Sequence, residues 1–323
     1  MKKILTYIIL FMTSVVLATS CSKTMEVISS DGEVCVTYDV ALAEVFATKA
    51  ATVSYADNLF WAVYLTEEVP SVEMDPYSGK TRMLSCGSCS FENGQAQPSL
   101  KFIRNKNHVV IFWAQHGNET SGRYALNGGD LRKISYKSQT MTCNNSASEA
   151  YYGVDFVVNA NGKASKSIEL KRPVAQVKVG TTAESLKIGD KKMTLKTSSI
   201  LIRNAPTTFS PISGKVSGSA DLAFSPYEPQ KENNGEYVKF TSSGESYVQM
   251  AMGYLLASPD ESANYIVDFN VTTDPGNEIA HTVSNVPLRG NFRTNIVGNL
   301  LTASATYTVT FDDEFKETIN KQF

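Results

Sequence analysis

Cysteine spacing is the chain's most informative source of chemistry, and Cys21 is the cysteine whose setting says most. Lys2 and Lys3 open the chain, and residues 4–17 form a mostly apolar run too short for a membrane span, which needs about 20 apolar residues. Ala18, Thr19 and Ser20 follow. Small residues directly before a cysteine suit cleavage beside a thioether-linked diacylglycerol, so Cys21 is the expected lipid (palmitate) attachment point. An ordinary secretory signal with an unrelated cysteine is the alternative. Several acyl chains anchor a protein stably, each buried CH2 contributing about 0.8 kcal/mol.

Cys86 and Cys89 have the spacing of a redox dithiol. Such a pair needs a helix N-terminus to lower a thiol pKa. Its flanks here read as strand edges and a turn, so we expect either disulfides or free structural thiols. Cys35, Cys86, Cys89 and Cys143 allow three pairings, and spacing does not choose among them. The three histidines, His108, His116 and His281, are scattered. His108 and His116 flank an apolar strand and would lie about 27 Å apart on it. No zinc-protease, serine-hydrolase or phosphate-loop motif is present, and the acids at 274–278 and 312–314 lack calcium-loop spacing. The sequence implies no enzyme, no cofactor and no metal.

The elements that must position these residues are strands. Along residues 33–42, Val34, Val36, Tyr38, Val40 and Leu42 alternate with Glu33, Cys35, Thr37, Asp39 and Ala41, the period of a half-buried strand. Residues 59–65 and 109–114 are continuous apolar runs, expected of central strands covered on both faces; Trp61 and Trp113 fall in them. Asn93-Gly94 and the Asn- and Gly-rich clusters at 127–130 and 159–162 mark turns. Residues 290–301 read as a helix or irregular segment, and 313–319 as a short helix. The formal charge is −2, and the signal contains Lys2, Lys3 and no acid. No basic run exists to bind a polyphosphate, so nucleic acid is excluded as a partner. Regular short strands predict an all-β chain of two sandwich domains, 33–180 and 181–323, after a signal at 1–20 and a lipidated linker at 21–32.

Three patches carry a family resemblance. Residues 109–115 form an aromatic strand. Residues 167–180 contain Leu170, Arg172, Pro173, Val174 and Ala175. Residues 286–302 contain Arg293, Thr294, Asn295, Ile296, Gly298, Leu300, Leu301 and Thr302. In this order, behind the cysteine signal, they resemble the fimbrillin family, the lipoprotein pilins of type V pili. The resemblance implies two transthyretin-like β-sandwich domains and an outer-membrane lipoprotein at the cell surface. It also implies a fimbrial subunit whose partners are other pilin subunits, assembled by proteolytic strand removal and donor-strand exchange. In the family the cut follows a basic residue, often arginine; here the candidate is Lys49, before Ala50. The departing strand would be the one carrying Val34, Val36, Tyr38, Val40 and Leu42. A candidate donor carries Tyr307, Val309 and Phe311. The absence of an arginine before Arg82 keeps an alternative open: an uncleaved anchor, accessory subunit or tip adhesin that binds a glycan, host or bacterial surface ligand. Arg172-Pro173 and Arg293-Thr294-Asn295 read as structural corners rather than ligand contacts.

Overall fold

The computed structural model describes residues 32–42, 56–161, 164–188, 191–274, 276–301 and 306–312. Among them the regular structure is β-strand, with only short 3-10 turns. The chain opens with β1 (Glu33–Leu42), β2 (Asn58–Thr66), β3 (Thr81–Ser90), β4 (Gln95–Ala96), β5 (Ser99–Ile103) and β6 (Asn107–Gln115). Next come β7 (Tyr124–Ala125), β8 (Ile134–Tyr136), β9 (Thr140–Thr142), β10 (Ala150–Val157), β11 (Ala164–Leu170) and β12 (Val174–Thr181). A small hairpin, β13 (Lys187–Ile188) and β14 (Lys191–Lys192), leads to β15 (Thr194–Ala205), β16 (Thr208–Ser210), β17 (Lys215–Ser217) and β18 (Ala220–Tyr227). The last six are β19 (Lys239–Ser242), β20 (Glu245–Leu256), β21 (Ala263–Asp274), β22 (Glu278–Leu288), β23 (Arg293–Asn299) and β24 (Thr306–Asp312).

These strands form an all-β sandwich architecture. One sheet has the order β11-β1-β4, with β5 also on β1, and faces the sheet β10-β6-β2-β3. Tyr38, Val40, Phe102, Phe112 and Leu170 fill the core between them. A second pair of sheets, β19-β20-β12-β23-β24 and β22-β21-β15-β18-β9, encloses another core with Val177, Val179, Ile200, Phe224, Phe269 and Ile296. Strand β6 explains its own apolar sequence. Val110, Phe112 and Ala114 point into the first core, while Val109, Ile111 and Trp113 point into a third cluster on the opposite face. A strand covered on both sides has no solvent face to keep polar. The Asn93-Gly94 turn has both residues at positive φ, 51° and 72°, which closes the tight connection before β4.

Two expectations are corrected. Residues 293–299, read as helical or irregular, are strand β23, inserted between β12 and β24. Arg293, Thr294 and Asn295 are all buried there, and their polarity hides a strand covered on both faces. Strand β12, read as closing the N-terminal unit, pairs antiparallel with β20 and parallel with β23. All eight of its residues are buried among the later strands. The fall in apolar density after Val179 marks the end of that strand and not a change of packing partner. The third cluster mixes Trp113, Tyr124 and Ile134 with Phe209, Ile212 and Met252, so both halves of the sequence share it. The segment at 313–319 lies outside the described residues.

His108, at the start of β6, is fully buried, and its Nε2 accepts the Ile103 N–H at 3.1 Å. Burial lowers its pKa to about 4, against a small opposing effect of the Lys106 backbone. The unfolded imidazole takes up its proton near pH 6.5, so the unfolded state holds more protons between about pH 4 and 6.5, and stability falls as pH drops through that window. Relative to His108→Gln, which keeps an acceptor but does not titrate, the wild type should lose about 3 kcal/mol more stability between pH 7 and pH 4. Urea midpoints measured across that range check it; identical pH profiles for the two proteins would contradict the burial argument.

Candidate functional site: the first strand and the C-terminal edge

The alternation read at residues 33–42 becomes β1, and all five inward side chains are buried: Val34, Val36, Tyr38, Val40 and Leu42 are 0–5% exposed. The backbone is engaged on both edges. From Val36↔Ala164 to Leu42↔Leu170, β1 runs parallel to β11. On the other side Glu33 to Thr37 pair antiparallel with β5, and Val40 and Ala41 with β4. Tyr38 N–H adds a bond to Pro98 O at 2.9 Å, and Leu42 N–H one to Gly94 O at 3.1 Å. At the centre of the strand the Tyr38 hydroxyl donates to Asp155 Oδ2 at 2.7 Å, an oxygen that Lys166 Nζ also reaches at 2.7 Å. Burial, then the Asp155 carboxylate, holds the Tyr38 phenol well above its usual pKa. A strand held in this way does not leave by thermal fraying. Its removal would open a groove lined by Leu100, Phe102, Phe112 and Leu170 and leave β11 and β5 with unpaired edges.

Strand β24 is the opposite case. Among the described residues it pairs only with β23, from Arg293↔Asp312 to Asn299↔Thr306, and lies at the end of its sheet. None of residues 306–311 is buried. Tyr307 is 45% exposed, Val309 packs partly against the core, and Phe311 stacks on Phe292 with ring centroids 5.1 Å apart. One hydroxyl contact, Thr310 Oγ1 with Ser242 Oγ at 2.7 Å, ties its other face down. Gly298 lets the two strands approach: its φ is +157°, and a Cβ there would collide with the Thr306 carbonyl. Gly298→Ala should therefore pry β24 off its neighbour, raising amide exchange of residues 306–312 about tenfold while the first core keeps its protection. Unchanged exchange in that segment would show that β24 is not held by this close approach.

Among the site residues expected from sequence, Cys21, Lys49 and Ala50 lie outside the described residues. No disulfide joins Cys35, Cys86, Cys89 and Cys143 in the structure. Cys86 and Cys89 both lie on β3, where a spacing of three puts side chains on opposite faces. Cys86 packs on the third cluster and Cys89 on the first-sandwich core. Burial raises the Cys89 pKa, opposite to what a redox thiol needs. Gly87 between them has a packing reason, since a Cβ there would lie 2.5 Å from the ring of Trp61 on the paired strand. Trp113 is fully buried and Trp61 partly so. His116 sits 3.0 Å from Asp57, and His281 bonds Leu300 O at 2.7 Å, each apart from buried His108. Among the described residues no group of three His, Cys, Asp or Glu side chains is placed to hold a metal.

The two arginine corners meet in one buried polar network that sequence reasoning missed. Glu149, 7% exposed, accepts from the Tyr151 hydroxyl at 2.7 Å and from the Tyr254 hydroxyl at 3.0 Å. Arg172 donates to the Tyr151 hydroxyl at 3.2 Å and lies over that ring, with Nε 3.9 Å from Glu149. Tyr254 in turn accepts from Gln176 Nε2 at 2.6 Å, and Gln176 Oε1 accepts from Arg293 Nε at 2.6 Å. Burial, then Glu149, holds the Tyr254 phenol well above its usual pKa. The network runs from β10 through β20 and β12 to β23, the strand that carries β24.

The chain belongs to a family of unknown function, DUF6562, matched over residues 26–323. No curated protein matches it. Solved structures similar to it include two fimbrial proteins. One is the tip fimbrial protein Mfa3 from Porphyromonas gingivalis with C-terminal truncation, at 10% identity and TM-score 0.49 over 87% of this chain and 99% of that one. The other is a fimbrial assembly protein from Parabacteroides distasonis, at 10% identity and TM-score 0.42 over 87% of this chain and 98% of that one.

Proposed function

We propose that the chain is a structural subunit of a surface fimbria, exported as a lipoprotein on Cys21 and held at the outer membrane until assembly. Cutting after Lys49 would separate β1 from the rest of the chain. The vacated groove of one subunit would then take β24 of the next, with Tyr307, Val309 and Phe311 as its inserted side chains. The observation that carries this reading is the contrast between the two strands. β1 is locked on both edges with a fully buried face, and β24 is a one-sided edge strand whose residues 306–311 are exposed or half-buried. Strand exchange needs that asymmetry: an acceptor groove deep enough to reward insertion, and a donor that detaches at small cost. The alternating Tyr307, Val309 and Phe311 match the period of the groove that β1 fills. The fimbrillin-like patches at 109–115, 167–180 and 286–302 support the same reading from sequence.

Replacing Lys49 with Gln should leave a folded subunit that does not form heat-labile polymers on gels of cell-surface extracts. Polymers of the Lys49→Gln protein equal to wild type would overturn strand release at this site. Lysine in place of the family's usual arginine favours a second reading, an uncleaved anchor or tip subunit whose ligand is a surface glycan or protein. In that case wild type and Lys49→Gln would both stay unpolymerised and keep β1.

A further inference from the structure

Residues 67–80, between β2 and β3, form a loop that is pinned down and yet apolar outside. Met74 is buried in the third cluster, and Glu67 N–H bonds Lys80 O at 3.1 Å across the base. Asn107 Nδ2 bonds Glu68 O at 3.0 Å, while Arg132 bonds Pro76 O at 2.8 Å and lies over the Tyr77 ring. With its backbone fixed in this way, the loop exposes Val69 at 71%, Val72 at 57% and Tyr77 at 54%. These are three of the seven most exposed large apolar side chains among the described residues, gathered on one short segment. Four acids, Glu67, Glu68, Glu73 and Asp75, share the segment with them, and Lys80 pairs with Glu68. Scattered exposed valines need no explanation, but an anchored segment that exposes three apolar side chains among charged ones is the form of a contact surface. The acids exclude an anionic membrane as its target.

A complementary feature lies on the C-terminal strands. An open cavity of about 270 Å3 has an apolar floor of Leu186, Tyr237 and Val248, and its rim carries Lys187 and Lys239 beside Glu236. Lys231 lies over the Tyr237 ring and pairs with Glu228 at 3.3 Å, so the net positive charge of the rim comes from Lys187 and Lys239. The cavity floor belongs to the second sandwich's core, whereas the loop anchors in the third cluster. We infer that the 67–80 loop of one copy docks in the lysine-rimmed cavity of a second copy, Val72 entering the apolar floor and Glu73 meeting Lys239. Unlike patches that pair in this way form a head-to-tail contact, which propagates as an open filament rather than closing as a dimer. The contact rests on the fimbrial-subunit reading for its setting and adds a register between neighbours that strand exchange alone does not fix.

The test uses the full chain carrying Lys49→Gln, in which β1 stays in place, so strand exchange does not contribute. Sedimentation velocity should show concentration-dependent self-association. Glu73→Lys alone and Lys239→Glu alone should each weaken it about tenfold, as should Val72→Ser. An equimolar mixture of the Glu73→Lys and Lys239→Glu proteins should associate like the unsubstituted chain, because every loop then meets a cavity of opposite charge. Restoration by mixing also shows that both variants are folded. The inference is overturned if the single variants associate undiminished, if mixing restores nothing, or if the loop instead binds phosphatidylglycerol vesicles in a Val72-dependent way. Its failure with wild-type polymers still forming after cleavage would leave the strand-exchange reading standing.

Discussion

A chain beginning at Ala50, produced without residues 33–42, should not hold the N-terminal sandwich as a stable monomer. The five inward side chains of β1 are buried to 0–5% exposure. At about 1.5–3 kcal/mol each, their burial contributes roughly 8–15 kcal/mol, an upper bound because the unfolded chain already hides part of this surface. Whole domains are stable by only about 5–15 kcal/mol, so the loss is comparable to everything the sandwich has. The trimmed chain should bind a hydrophobic dye, lose amide protection in β5, β6 and β11, and associate through the open groove. A synthetic peptide of residues 33–42 should restore protection, and one of residues 306–312 should do so in part. A trimmed chain that stays monomeric with native protection would show that β1 is an ornament of the sheet and not its keystone.

The second large effect concerns Glu149. Removing one member of a buried ion pair takes its counter-charge from the other in a low-dielectric interior, at a cost of about 3–5 kcal/mol. Glu149→Ala leaves the Arg172 guanidinium, itself 9% exposed, beside two tyrosine hydroxyls that have lost their acceptor. Arg172→Met leaves the carboxylate buried and should cost a similar amount. Because the two sites share one network, the double variant should cost clearly less than the two single losses together, a coupling that a thermodynamic cycle reads directly. Additive losses would mean that Glu149 and Arg172 stabilise the fold separately. Since Gln176 links this network to Arg293, and Arg293 lies opposite Asp312 in the backbone register of β23 and β24, the same variants should also raise exchange along β24.

Strand β1 was readable from sequence to the residue, because a half-buried strand writes its period of two directly into the chain. The buried runs of β2 and β6 were readable for the complementary reason, since a strand covered on both faces has no polar phase. Strand β23 was not, because Arg293, Thr294 and Asn295 are polar yet buried, and only their partners on β12, β19 and β22 make that tolerable. The allegiance of β12 was equally hidden: apolar pattern reports burial, but pairing with β20 and β23 is decided by residues far along the chain. Glu149 carries little local signal, since beyond Tyr151 its partners lie far along the chain, at Arg172 and Tyr254. The cysteine spacing at 86 and 89 misleads in the opposite direction, because it acquires meaning only on a helix end and here falls on a strand whose faces separate the two thiols.

The most direct measurement is the N-terminal residue of the subunits within purified surface polymers, read by Edman degradation or by mass spectrometry. Strand exchange at the β1 groove predicts that polymerised subunits begin at Ala50, with the segment up to Lys49 absent. Polymers whose subunits all retain residues 21–49 would contradict it, because β1 would then still fill the groove that the donor must enter.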